Sequence, residues 1–218
     1  MENNYLKRFK ENELRSCQLK QLEILKIFDR ICRKHNLRYW IDGGTLLGAV
    51  RHKGFIPWDD DLDVAMPSED YKKLDQIIQS ELPDHLFWQT PKTDPTMPYG
   101  CTKIRDLNSF YVEFRDDFTL PYHKGVFIDI FEMIDYPSLP YFCCIYCALK
   151  PIWNILNLVS KKENLSYLPL VNSGGWVYPV KSIFPLTTIK FENIEFPAPC
   201  NPDSVLKILY GDYMTLPP

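Results

Sequence analysis

Residues 58–65 read Trp58-Asp59-Asp60-Asp61-Leu62-Asp63-Val64-Ala65, and 61–65 alternate polar and apolar at the two-residue period of a strand. Successive strand side chains point to opposite faces, so Asp61 and Asp63 share one face while Leu62 and Val64 turn to the core. Two carboxylates held that close repel each other unless a cation lies between them. An all-oxygen ligand set with room for substrate phosphates suits Mg²⁺. The bland alternative is a solvated acidic turn, the usual fate of a charge run. Four aspartates in five residues, set between Phe55-Ile56-Pro57-Trp58 and a strand, are a costly use of charge. The run by itself leaves the two readings evenly matched.

Upstream, Leu14, Gln18, Leu22, Leu25, Phe28 and Cys32 recur at three- and four-residue spacing, which predicts an amphipathic helix over 13–34 closed at His35-Asn36. A short strand over Arg38–Asp42 follows, broken by Gly43-Gly44, and Thr45–Arg51 reads as a short helix capped by Thr45. Downstream, Pro67-Ser68 starts a helix with Tyr71, Leu74, Ile77 and Ile78 on its apolar side. Cys101–Arg105, Phe110–Phe114 and Val126–Phe131 read as strands. Ile189–Phe191 and Ile194–Phe196 form a hairpin, and a last helix runs from Asn201-Pro202-Asp203 to near Gly211.

A second acid, Asp129, stands alone in Val126-Phe127-Ile128-Asp129-Ile130-Phe131. A buried carboxylate without a partner costs several kcal/mol, so it either pairs with a buried cation or completes the Asp61/Asp63 site from a neighbouring strand. Glycines at 43 and 44 let backbone amides approach a phosphate at a helix start; alone, the pair reads as an ordinary turn. Lys103 and Arg105 share one strand face and are candidates to hold phosphate, each with an ordinary ion pair as the alternative. Strand, Gly-Gly, short helix, Asp-hydrophobic-Asp strand and a later lone-Asp strand together give the order of a nucleotidyltransferase-like fold: a mixed β-sheet flanked by helices, α/β in class.

The 218 residues suffice for one domain with a sizeable core. Its parts divide as a catalytic core over 13–136, a variable apolar helical segment over 137–175, and a C-terminal hairpin and helix over 176–218. The net charge of −3 and the lack of any Lys/Arg-rich run argue against nucleic acid as a partner. A polar N-terminus and seven cysteines, an odd count, read as a cytoplasmic protein with reduced thiols. Leu139–Val159 is strongly apolar, but Lys150-Pro151 splits it into pieces shorter than the roughly 20 residues that span a bilayer. A buried or surface-docking helical pair is the better reading, with peripheral contact at the inner membrane face as the minor one. Cys143, Cys144 and Cys147 have no second ligand pair at zinc-finger spacing and read as buried apolar thiols.

The run from Tyr39 through Ile41-Asp42-Gly43-Gly44-Thr45-Leu46-Leu47-Gly48, Arg51-His52-Lys53-Gly54-Phe55-Ile56-Pro57-Trp58 and Asp59-Asp60-Asp61-Leu62-Asp63-Val64 resembles the signature of the LicD family. So do Lys103-Ile104-Arg105-Asp106, Gly125–Phe131 and the closing Leu209-Tyr210-Gly211-Asp212-Tyr213. That family includes bacterial phosphocholine transferases acting on lipopolysaccharide and teichoic acids, and is related to fukutin-type ribitol-phosphate transferases. The resemblance implies Mg²⁺ ligands at Asp61 and Asp63, with Asp59 a possible third. It makes Asp129 a further ligand or the catalytic base, and Gly43, Gly44, Thr45, Arg51, His52, Lys103 and Arg105 substrate-binding residues. The implied reaction moves a phospho-alcohol from a CDP-alcohol donor to a hydroxyl of a glycan or lipid-linked saccharide and releases CMP. Two rivals stand beside it: a nucleotidyltransferase moving a nucleoside monophosphate to a small acceptor, and a non-catalytic nucleotide- or glycan-binding regulator.

Overall fold

The chain was analysed as a computed structural model, which describes residues 13–97, 101–113, 116–136, 163–168, 172 and 174–216. The segments 139–159 and 143–147, on which the apolar-pair and thiol readings fall, lie outside the described residues. Helix α1 (Leu14–Lys34) buries Leu22, Leu25, Phe28 and Cys32 along one stripe, as its spacing predicts. It closes at Asn36, which takes φ 53°, while the Leu37 N–H returns to the Cys32 carbonyl at 2.8 Å. Strand β1 (Trp40–Ile41) is shorter than the expected 38–42.

Helix α2 (Gly43–Arg51) begins two residues before the expected start. Thr45 does not cap it. The residue before the helix is Asp42, whose carbonyl accepts from the Leu46 N–H at 3.0 Å, and the Thr45 hydroxyl instead accepts from the backbone N–H of Asp63 at 2.8 Å. Strand β2 (Asp63–Pro67) and helix α3 (Ser68–Glu81) follow, then β3 (Leu86–Gln89), β4 (Thr102–Asp106) and β5 (Phe127–Tyr136). Beyond them come β6 (Asn164–Tyr167), β7 (Val177–Pro179), the short α4 (Val180–Ile183), the hairpin β8 (Thr187–Phe191) and β9 (Ile194–Ala198), and α5 (Pro202–Tyr210).

The strand expected over Phe110–Phe114 is absent from its described residues, 110–113. Strand β4 already has β3 on one edge and β5 on the other, so the segment cannot pair with the strand it follows in sequence. Side chains tether the segment instead: Ser109 Oγ accepts from the Val126 N–H at 2.9 Å, and the Tyr111 hydroxyl donates to Asp60 at 2.6 Å.

The main sheet is mixed, in the order β1-β2-β5-β4-β3, with β6 pairing β5 and β7 pairing β6. Only β2 and β5 run parallel; every other pair is antiparallel. Ile104, Ile128, Ile130 and Val64 turn to one face and are fully buried, and α1 packs against β5. Replacing Leu25, which is fully buried, with Ala should cost about 2–5 kcal/mol in denaturant melts. Leu19→Ala, on the solvent side of the same helix, should change stability by less than about 0.5 kcal/mol.

Candidate active site

The parallel register places Asp63 directly opposite Asp129, and the antiparallel register places Asp129 opposite Lys103 and Lys103 opposite Gln89. Residues opposite one another in a sheet share a face. One row across four strands therefore carries two acids, a cation and an amide. Asp59 and Asp61 reach the same patch from the loop before β2, and Asp61 is pushed up to about 8, first by burial and then by Asp59 and Asp129. Asp59 is pushed up to about 6 by burial and by Asp60. Burial, then Asp61, Asp129, Asp42 and Asp59, holds the Asp63 carboxyl well above the usual carboxylate range. Burial and neighbouring carboxylates together make Asp59, Asp61 and Asp63 harder to ionise.

The glycine pair serves this patch directly. A Cβ on Gly43, which has φ 52°, would lie 2.5 Å from Asp63 Oδ2, and one on Gly44 would lie 2.7 Å from Asp59 Oδ2. The glycines thus let two carboxylates settle over the first turn of α2, where the positive end of the helix dipole offsets part of their repulsion. Thr45 fixes the spacing between that turn and Asp63 through its bond to the Asp63 N–H.

Lys103 and Arg105 lie beside the acids but are turned inward, with side chains 2% and 0% exposed. Lys103 Nζ stands 2.9 Å from Asp129 Oδ1 and donates to Oδ2 at 3.2 Å, and it also donates to Glu113 at 3.2 Å. Burial acts to lower the Lys103 pKa, but Asp129 and Glu113 outweigh it and the ammonium stays charged. Arg105 donates to Gln89, to the Gly125 carbonyl at 2.8 Å and to Glu113 at 2.9 Å. Both cations sit against the Phe127 ring, Lys103 Nζ at 3.4 Å from its centroid. Of the four candidate phosphate-binding cations, Arg51 and His52 are the two with partly exposed side chains. Arg51 donates to the Tyr213 carbonyl at 2.8 Å, and His52 meets Trp58 edge-on.

Several residues that frame the site were not singled out from the sequence. Gln18 and Gln21, buried on α1, donate to the carbonyls of Asp59 at 2.9 Å and Asp60 at 2.7 Å and so hold the acidic loop. Asp42, buried before α2, accepts from Tyr167, whose hydroxyl accepts from Tyr178 at 3.1 Å. Tyr210 on α5 lies in the field of the acids; burial first, then Asp63 and Asp42, pushes its phenol up. The detectable signal was a polar residue breaking an apolar stripe, as Gln18 and Gln21 do on α1.

The donor set at the patch is all oxygen, its acids gain from a shared cation, and the glycines leave no side chain in the way. These residues fit Mg²⁺. Among the described residues no group of three or more His, Cys, Asp or Glu side chains is gathered so as to hold a metal ion.

Residues 36–138 match the family model described as LicD/FKTN/FKRP, nucleotidyltransferase domain. The chain is 31% identical over 254 residues to the lipopolysaccharide cholinephosphotransferase LicD of Haemophilus influenzae, covering 96% of this chain and 94% of that one. A stretch of 73 residues is 45% identical to an uncharacterized protein of Rickettsia typhi, covering 34% of this chain and 23% of that one. A stretch of 45 residues is 47% identical to the human ribitol 5-phosphate transferase FKRP, covering 21% of this chain and 9% of that one.

With divalent cations chelated, the raised carboxyls set the sign of a pH effect. The unfolded chain ionises Asp61 near pH 4, whereas the folded chain keeps its proton until about 8. Between those values the unfolded state binds fewer protons, so stability should fall as pH rises from about 4 to 8. Asp61→Asn should flatten that slope in thermal melts. Gly44→Ala should weaken Mg²⁺ binding in titration calorimetry by about tenfold or more with little loss of Tm, because the new methyl displaces the Asp59 carboxylate.

Proposed function

The chain belongs to the LicD family, and on that premise we propose that this phosphotransferase moves a phospho-alcohol, phosphocholine or a similar group, from a CDP-alcohol to a glycan hydroxyl. The observation that carries this reading is the row formed by Asp63, Asp129 and Lys103, with Asp59 and Asp61 converging on it. Lipopolysaccharide is the acceptor named for the Haemophilus influenzae relative, and a precursor of lipopolysaccharide or of teichoic acid is the acceptor this reading takes. A soluble nucleotide donor points to the cytoplasm, with the acceptor met at the inner membrane face. Among the described residues no helix is long and apolar enough to cross a membrane.

Asp61 and Asp63 would hold Mg²⁺, with Asp59 and Asp129 at its margin. The ion would supply positive charge to the donor diphosphate and to the departing CMP. Arg51, partly exposed at the C-terminal end of α2, would meet the donor phosphates. The acceptor hydroxyl oxygen bonds to the distal phosphorus while its proton passes to Asp129. The bond from that phosphorus to CMP breaks, and CMP leaves with the electron pair. Lys103 pins the Asp129 carboxylate against the sheet so that its orientation is set before substrate arrives. Arg105 acts at one remove, bracing Glu113, which in turn holds Lys103.

The family model's own description, a nucleotidyltransferase domain, favours one second reading: attack at the inner phosphorus, with a nucleoside monophosphate transferred. Product identity separates the two. Purified protein with Mg²⁺, a panel of CDP-alcohols and glycan acceptors should release CMP, whereas a nucleotidylated acceptor would establish the second reading. Asp61→Asn and Asp63→Asn should each lower turnover by about 10²-fold or more, and near-normal activity in either removes the metal assignment. For Asp129→Asn, a loss of about 10²–10⁴-fold in kcat with donor binding intact fits a base. Loss of donor and Mg²⁺ binding would instead make Asp129 a ligand.

A further inference from the structure

Strand β5 is ten residues long and changes partners along its length. Phe127–Ile130 pair with β4, and Met133–Tyr136 pair with β6. Tyr167, at the end of β6, lies opposite Met133, which shares a face with Asp129 and Phe131 on the same strand. Strand β6 thus brings to the acid-bearing face a side chain from beyond the 36–138 span of the family model. On that face the Tyr167 ring meets Phe131 at 5.4 Å, and its hydroxyl donates to Asp42 Oδ2.

Asp42 extends the row of acids. Its backbone is extended, with φ −133° and ψ −178°, so the alternation of β1 continues through it. Trp40 pairs with Ala65 and Ile41 with Val64, and one step further the Asp42 N–H donates to the Asp63 carbonyl at 3.0 Å. Asp42 therefore stands opposite Asp63 and on its face, as Asp129 does from the other neighbouring strand. Cβ atoms of such opposite residues are about 4.5–5.5 Å apart. The Asp63 carboxylate also lies against Gly43, the residue that follows Asp42.

Asp42 is 1% exposed, and its two oxygens differ. Oδ2 takes the Tyr167 bond, and the Tyr167 hydroxyl is held in turn by Tyr178 at 3.1 Å. Oδ1 has no hydrogen-bond partner among the described residues. The Gly43 N–H and Trp40 Nε1 act on the same carboxylate, yet neither bonds Oδ1, and Trp40 Nε1 is likewise without a partner. A buried carboxylate oxygen left bare beside a second carboxylate is costly unless positive charge or a donor comes to it. The acids here are not gathered closely enough for three of them to ligate one ion directly. Mg²⁺ keeps several waters, and a carboxylate just outside its ligands accepts from them.

We propose that Asp42 is a positioning residue for the hydrated cation held by Asp61 and Asp63, its Oδ1 accepting from a water on that ion. Tyr167 aims it by fixing Oδ2. This deepens the reading of Asp61 and Asp63 as holders of Mg²⁺ and rests on it.

The test uses the full chain without donor, with Mn²⁺ as the probe and the EPR signal of the free ion as the readout. Wild type, Asp42→Asn, Tyr167→Phe and Asp61→Asn are compared. Asp42→Asn keeps the shape but only one of the two acceptor oxygens. Tyr167→Phe keeps the ring against Phe131 and leaves the Asp42 charge in place. Each of these two should weaken Mn²⁺ binding by about tenfold or more. Melted with divalent cations chelated, Asp42→Asn should be at least as stable as wild type, because one of several buried carboxylates that repel one another is gone. Unchanged Mn²⁺ affinity in Asp42→Asn, with Asp61→Asn impaired, overturns the proposal and gives Oδ1 to Trp40. So does weakening in Asp42→Asn alone, which reduces Asp42 to a distant charge. A lower Tm of Asp42→Asn under chelation overturns it too, making Asp42 a structural support. Affinity unchanged in Asp61→Asn as well, or absent from wild type, sinks the metal assignment and the proposal with it. If the Mn²⁺ losses appear and no donor releases CMP, the group-transfer reading falls while the role of Asp42 stands.

Discussion

Like charge held at close range is the constraint around which this fold is organised. Asp59 and Asp129 raise the proton affinity of Asp61, and Asp59, Asp61 and Asp129 raise that of Asp63; a chain free to relax would separate them. Three features prevent that. The β2–β5 register is locked by the flanking core residues Leu62, Val64, Ile128 and Ile130, all essentially without solvent contact. The acidic loop is tied by its carbonyls to Gln18 and Gln21 rather than by its carboxylates. The helix that receives the charge starts with two glycines, so nothing blocks the approach. The fold spends local stability to keep a charge pattern in place, as sites that bind cations commonly do.

Beneath the acids runs a second layer of polar side chains. Gln89, Lys103, Arg105, Glu113 and Asp129 form a chain of ion pairs and hydrogen bonds closed on one side by the Phe127 ring. Buried networks of this kind depend on every member being satisfied, because a single deletion leaves an uncompensated charge. Their value here is geometric. Asp129 is held from below by an ammonium that is itself held by Glu113, so the carboxylate has little freedom to rotate away from its neighbour on β2.

Much of this was legible in the sequence because it is local. The strand from Asp63 to Ala65 (though not its expected start at Asp61, which lies in the preceding loop), the lone acid in 126–131, the hairpin around Glu192-Asn193 and the stripe of α1 all follow from period and composition. What escaped depends on partners distant in the chain. Strands β3, β6 and β7 have three or four residues each, too few to show a period, and exist because an edge was open to them. Phe110–Phe114 had the composition of a strand, but its described residues 110–113 are held by side-chain bonds such as that from Tyr111 to Asp60. Lys103 and Arg105 were correctly placed on one face, but alternation says nothing about which face is covered, and theirs is covered by Glu113 and the Phe127 ring. Thr45 looked like a helix cap because its type suits one; its hydroxyl is used by a strand 18 residues later.

The exchange of partners along β5 also separates two kinds of heredity in one strand. Its first half shares a register with β2 and β4, where a shift of one residue would turn Asp129 to the opposite face. Its second half supports β6 and β7, which lie beyond the 36–138 span matched by the family model. The connection from Tyr136 to Asn164 can therefore lengthen, shorten or change composition without altering the spacing of the acids.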